Sequence, residues 1–116
     1  MTQRYIIPFI PASLNRFAGR KNVWEYRDEK RRWIGLCKAY CSPAPVPPLA
    51  KASVEILFCF GNNRRRDLDN LIKPVLDGLV HAGILTDDCW QCCEIIVKGM
   101  HKKGEEKTIL TISEIQ

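Results

Sequence analysis

The chain has 116 residues, of which 46% are hydrophobic and 27% are charged, and its formal net charge at pH 7 is +5. These values are typical of one folded domain spanning residues 1–116, and they exclude a disordered chain or a two-domain protein. No apolar run approaches the roughly 18 residues of a membrane span, and two prolines interrupt the short apolar stretch of the opening MTQRYIIPFIPA, which makes it a poor signal peptide. We therefore expect a cytoplasmic protein that does not associate with membranes.

The predicted elements alternate between strands and helices and end in two strands. They are a strand (3–10), a helix (25–41), a proline-rich connector (42–50), a strand (52–60), a helix (70–82) and two strands (92–98 and 107–114). The order β-α-β-α-β-β predicts an α+β (mixed α/β) domain in which two helices cover a mixed sheet.

Several residues refine these elements. Pro8 predicts that the first strand lies at a sheet edge or ends early. The strand 52–60 is apolar at nearly every position, which predicts a central strand covered on both faces. Gly83 predicts the end of the second helix. In the first helix, a single apolar stripe is predicted, formed by Tyr26, Trp33, Cys37 and Tyr40.

The six cysteines allow two interpretations. In a protein without a secretory signal, reduced thiols are the default, and Cys37 lies on the apolar face of its helix, where a free cysteine packs as a small hydrophobe. Core packing is therefore the main prediction. The alternative is a structural zinc site, formed by Cys37, Cys41, Cys89, Cys92 and Cys93.

Positive charge is concentrated in the first half of the chain. Residues 1–50 contain nine basic and three acidic side chains, whereas residues 51–116 contain nine basic and ten acidic ones. A basic half joined to an acid-containing half suits a polyanion-binding surface beside a carboxylate site, although ordinary solvated charge explains the same balance. The candidate phosphate contacts are Arg16, Arg20, Lys21, Arg64, Arg65 and Arg66.

The segment RRRDLDN before the second helix carries a pair of carboxylates. In an extended segment, Asp67 and Asp69 point the same way, which is unfavourable unless a cation lies between them. Mg²⁺ prefers such carboxylate oxygens. Lys73 follows Asp69 by four residues and is therefore its neighbour on the helix surface.

A third carboxylate is predicted from a length argument. A helix of about 12 residues rises roughly 18 Å, and the extended run 84–88 spans roughly 15 Å, which nearly covers the distance back. If Gly83 reverses the chain, Asp87 and Asp88 meet Asp67 and Asp69. This set is suited to metal-assisted phosphodiester hydrolysis. The simpler alternative is that the first two aspartates cap a helix and the last two form a turn.

The segment RRRDLDNLIK…LDGLVHAGILTDD resembles the RusA family of Holliday junction resolvases, and the resemblance extends to PASLNR near the start and to the final LTISE strand. It implies a homodimer that cuts branched, four-way DNA with Mg²⁺, for which Mn²⁺ can substitute, without a small-molecule cofactor. By position it implies that Asp67, Asp69 and Asp88 bind the metal and that Lys73 is catalytic. Trp90 departs from the glutamine that family members often carry, and Pro74 stands where a small residue can occur.

Two further hypotheses stay open at this point. One is a non-catalytic nucleic-acid-binding module, stabilised by zinc, in which the basic half carries the whole function. The other is a degenerate family member that binds junctions as a dimer but does not cut them, because Trp90 or Pro74 disables the site.

Overall fold

The computed structural model describes residues 2–13 and 23–116, and these residues form helices and strands in the predicted order. The elements are β1 (Thr2–Ile7), α1 (Val23–Tyr40), β2 (Ala52–Phe60), α2 (Asp69–His81), β3 (Cys93–His101) and β4 (Lys107–Glu114). The predicted α+β class is therefore confirmed. Neither of the described helices is long and apolar enough to cross a bilayer.

The strands form one mixed sheet in the order β1-β4-β2-β3. The central strand β2 is antiparallel to β4 and parallel to β3, and β1 lies at the edge, antiparallel to β4. As predicted from Pro8, the first strand is an edge strand and ends early, at Ile7, because a proline has no N–H to donate to a strand ladder.

Both helices pack on the same face of the sheet. On β2, the residues Val54, Ile56 and Phe58 are fully buried in one cluster with apolar side chains of α1 and α2. Apart from its C-terminal end, the opposite face of β2 is half-buried, and there Glu55 forms an ion pair with Lys98 of β3 at 3.4 Å. The prediction that this strand is covered on both faces was therefore wrong. Its apolar sequence is explained by a strand on each side and by the helices that cover one face.

Gly83 closes helix α2, as predicted, and the end of the helix forms a Schellman motif. Gly83 has φ = 77°, a left-handed conformation that L side chains rarely adopt. Its N–H donates to the Val80 carbonyl at 3.1 Å, and the N–H of the buried Ile84 donates to the Leu79 carbonyl at 3.0 Å. The chain leaves the helix at this point in a fixed direction.

The two helices contact each other where α2 has no side chain. A Cβ atom built on Gly78 would lie 2.5 Å from the Cys37 sulfur and 3.0 Å from the Trp33 indole nitrogen. Trp33 and Cys37 are both buried, which confirms the centre of the predicted stripe, but Tyr40 is 42% exposed and lies outside it. Tyr40 does not continue the buried stripe because it is the last residue of α1.

Candidate active site

The segment between β2 and α2 carries the predicted arginines and the first carboxylates. The backbone N–H of Arg64 donates to the Asn62 side-chain oxygen at 3.1 Å. The Arg64 side chain is exposed. The Arg65 guanidinium, 88% exposed, donates to the Asp67 carboxylate at 3.2 Å. These two side chains therefore lie at the surface, next to the first aspartate.

Arg66 has a different environment, and only 16% of its side chain is exposed. Its guanidinium lies 4.4 Å from the centre of the Phe60 ring and 3.9 Å from the Glu106 carboxylate. It also donates to the Asn62 and Arg64 carbonyls at 3.5 and 3.4 Å. Arg66 therefore connects the segment to the end of β2 and to the turn before β4.

Asp67 and Asp69 are exposed on either side of Leu68, which occupies the N-cap position of α2. Neither carboxylate is therefore the N-cap of this helix, and the capping alternative loses its support. Asp69 is in the first turn of α2, where the helix dipole favours negative charge.

An open groove of about 630 Å³ runs beside this segment. One wall is the loop after β1, residues 10–13, and the other carries residues 64–67, Asn70 and Leu71, with Glu106 also contributing. The groove therefore combines guanidinium groups, the Asp67 carboxylate and an amide, a lining that suits a phosphate-bearing chain more than an apolar ligand.

Lys73 lies one turn into α2, and its ammonium group pairs with Asp77 rather than with Asp69. The Lys73 Nζ atom is 3.6 Å from the Asp77 carboxylate, and the lysine side chain is 61% exposed. Because Asp69 and Asp77 are both four residues from Lys73, the three side chains occupy one face of the helix. Asp77 is an additional member of this face that was not predicted, although the same i,i+4 spacing pointed to it.

After the Schellman motif, the chain runs beside the residues that precede β2. The Leu49 N–H donates to the Ile84 carbonyl at 2.9 Å, and the Thr86 N–H donates to the Leu49 carbonyl at 3.0 Å. The Ala52 N–H then donates to the Cys92 carbonyl at 2.8 Å, where β3 begins alongside β2. Residues 86–92 are therefore held at the start of β2.

Asp87 and Asp88 lie in that segment, whereas Asp67 and Asp69 follow the far end of β2. The nine residues of β2 span roughly 26 Å at the rise of a strand. The predicted return of Asp88 to the first aspartates within one chain was therefore wrong, because parallel pairing with β2 carries the chain to the start of that strand.

The described residues contain no group of three His, Cys, Asp or Glu side chains that could hold a metal ion. Neither the four aspartates nor the cysteines of the zinc alternative form such a group. Cys37 and Cys41 are instead buried in the core, as the packing interpretation predicts. The carboxylates of a single chain therefore do not fit a three-ligand metal site.

Three thiols follow Asp88, two in a compact turn and the third at the first residue of β3. The Cys93 thiol donates to the Asp87 carbonyl at 3.4 Å, and the Cys89 thiol donates to the Cys92 sulfur at 3.2 Å. Burial raises the pKa of Cys93 to about 11, with further contributions from the neighbouring thiols and from both aspartates. Cys93 is therefore a protonated, structural thiol at neutral pH.

Comparison with known proteins places these residues in a family. The model of the endodeoxyribonuclease RusA family matches residues 10–113, which include both pairs of aspartates and Lys73. The chain belongs to the RusA family. It is also 28% identical over 88 residues to the crossover junction endodeoxyribonuclease rusA of Enterobacteria phage HK97, an alignment that covers 73% of this chain and 72% of the phage protein. The chain is thus a nuclease that acts on phosphodiester bonds of DNA.

The predicted DNA contacts of this RusA-family chain differ in exposure where the structure describes them. Arg64 and Arg65 are exposed at the groove, and Arg66 is largely buried. Arg16, Arg20 and Lys21 lie outside the described residues. Glu106, whose carboxylate pairs with Arg66, was not predicted either, because no local spacing connects residues that far apart in the chain.

Proposed function

We propose that the chain is a Mg²⁺-dependent endonuclease that cuts four-way DNA junctions as a homodimer and acts in recombination and repair in the cytoplasm. Family membership over residues 10–113 is the observation that carries the proposal. The name of the HK97 relative, a crossover junction endodeoxyribonuclease, supports the choice of substrate. The exposed aspartates beside an arginine-lined groove are the corresponding feature of this chain.

The homodimer follows from the symmetry of the substrate. A four-way junction yields two duplexes when it is cut at two symmetry-related phosphates, and a two-fold dimer with equal sites matches that symmetry. We assign Arg64 and Arg65 to phosphate contacts, together with Arg16, Arg20 and Lys21. Because phosphate contacts release counterions, binding should weaken steeply as the salt concentration rises.

The positions of the carboxylates are a second reason to propose a dimer, in which two chains together complete each site. Asp67 and Asp69 lie at one end of β2 and Asp88 lies near the other, so one chain does not assemble all three. In a two-fold dimer, the start of α2 in one chain can face the end of α2 in the other. We infer that each site combines Asp67 and Asp69 of one chain with Asp88 of the partner subunit.

Within such a site, the three carboxylates would hold Mg²⁺, which prefers carboxylate oxygens and would supply positive charge next to the attacked phosphate. Lys73 lies one turn from Asp69 on the same helix face. Its ammonium group would offset the negative charge that grows on the attacked phosphate. For this role it must exchange its Asp77 partner for the phosphate, and an exposed ion pair costs little to break.

The test is cleavage of a synthetic four-way junction with labelled strands. Wild-type protein should produce nicked duplexes with Mg²⁺, and EDTA should stop the reaction. Asp69→Asn should abolish cutting while junction binding, measured by gel shift, survives or tightens because one negative charge facing the phosphates is lost. Asp28→Asn, the same change at an exposed position on α1, is the matched control and should cut like wild type.

Two results would contradict the proposal. Cutting that persists in EDTA would exclude dependence on a divalent cation. Junction binding without cutting by the wild-type protein would instead indicate a non-catalytic junction-binding module.

A further inference from the structure

The loop between Asp88 and β3 contains a pair of thiols that the proposed nuclease chemistry does not use. Cys89 and Cys92 are separated by two residues, Trp90 and Gln91, which is the spacing of a dithiol redox pair. Their sulfur atoms are 3.2 Å apart, and both residues are partly exposed. A small oxidant in solution can therefore reach them.

The backbone of the loop brings the two residues into range of a disulfide. The Cys92 N–H donates to the Cys89 carbonyl at 2.9 Å, which closes a four-residue turn. The ends of such a turn lie within about 7 Å of each other, and a disulfide joins Cα atoms that are about 4.4 to 6.8 Å apart. A disulfide bond length of about 2.05 Å requires the sulfur atoms to approach by roughly a further 1 Å.

The other close pair of thiols differs in access. Cys37 and Cys41 lie one helical turn apart, but they are 0% and 2% exposed. Cys93 is buried as well, and its thiol is turned to the Asp87 carbonyl. Among the described cysteines, only Cys89 and Cys92 combine a short separation with exposure.

We propose that Cys89 and Cys92 form a reversible redox site that is oxidised by low-molecular-weight disulfides. A thiolate of the pair attacks the oxidant RSSR and releases one RSH after protonation. The second thiol then attacks the mixed disulfide, releases the other RSH and leaves the Cys89–Cys92 disulfide. The protein loses two electrons and two protons, and the oxidant is reduced to two thiols.

Oxidation also affects the residue before the pair. Cys89 follows Asp88 directly, so a change in the Cys89 conformation that brings the sulfur atoms together would also shift the position of that aspartate. A displacement of about 1 Å in an active site can lower a rate by about a hundredfold. The oxidised protein should therefore cut junctions at least tenfold more slowly, an effect that rests on the proposed nuclease function.

The redox site is tested first without any activity measurement. Purified protein is incubated with oxidised glutathione, its free thiols are blocked, and its peptides are mapped by mass spectrometry. We expect one Cys89–Cys92 disulfide that dithiothreitol reverses, and Cys89→Ser and Cys92→Ser should each prevent it. A map without this disulfide, or with zinc bound to these thiols in its place, would overturn the proposal.

The second measurement compares junction cleavage before and after oxidation. The rate should fall in wild type and in Cys93→Ser, the matched control at the first residue of β3, but not in either single variant of the pair. An oxidised protein that cuts as fast as the reduced one would refute the effect on Asp88. If the reduced protein does not cut at all, the nuclease proposal fails, whereas the peptide map still decides the redox site.

Discussion

The three consecutive arginines 64–66 cannot be told apart from the sequence, but they occupy different environments in the structure. Arg65 is 88% exposed and holds the Asp67 carboxylate, whereas Arg66 is packed on the Phe60 ring and is only 16% exposed. A guanidinium over an aromatic face that is shielded from water contributes more to stability than an exposed one. Arg66 is therefore a structural residue, and Arg65 is available to a ligand.

Substitution should separate these two roles. Arg66→Ala should lower the free energy of unfolding by about 1 kcal/mol or more, because it removes a partly desolvated cation–π contact. Arg65→Ala should leave the melting temperature unchanged and reduce the slope of log K against log salt for junction binding by about 1. Thermal denaturation and salt titrations of binding measure the two effects. Equal melting temperatures for the two variants would contradict the distinction.

At the scale of elements, the close approach of α1 and α2 depends on the missing side chain of Gly78. A Cβ atom at this position would lie 2.5 Å from the Cys37 sulfur, whereas one at Gly35, on α1, would meet nothing within 4 Å. The two helical glycines therefore differ only in their surroundings.

We expect opposite signs for the two alanine substitutions. An alanine in a helix is favoured over glycine by about 0.5 to 1 kcal/mol, so Gly35→Ala should stabilise the protein by that amount. In Gly78→Ala, overpacking costs about 1 to 3 kcal/mol and outweighs the same gain. Urea unfolding of both variants tests this, and a stabilised Gly78→Ala would mean that the helices separate easily.

Local patterns predicted the elements well, since each depends on nearby residues. Helix α2 ends at the predicted glycine because a left-handed residue is needed there, and β1 stops before Pro8. The position of Asp88 depends on the parallel pairing of β2 with β3. No local spacing in the sequence predicts that pairing. The lengths of the helix and of the extended run were compatible with a return of Asp88 to the first aspartates, which the structure does not have.

For the whole molecule, the two ends of β2 carry different parts of the predicted site. The distribution is consistent with a protein whose sites form only between chains.

Mixing two inactive variants tests whether the sites are shared. If Asp69 of one chain and Asp88 of the partner subunit act together, a heterodimer of Asp69→Asn and Asp88→Asn chains contains one intact site and one with both changes. Differently tagged chains, co-expressed and purified through both tags, should therefore nick one strand of the junction. Each variant alone should be inactive, and an inactive heterodimer would indicate that each site is built within one chain.

The sheet order also bears on how the chain folds during synthesis. The strand β4 lies between β1 and β2, so the first and third elements of the chain are joined through the last. While the ribosome still holds Lys107–Glu114, β1 has no sheet to join and β2 lacks one of its two neighbours. The nascent protein should therefore remain open to proteases until β4 has emerged from the ribosome, because the sheet cannot be completed before then.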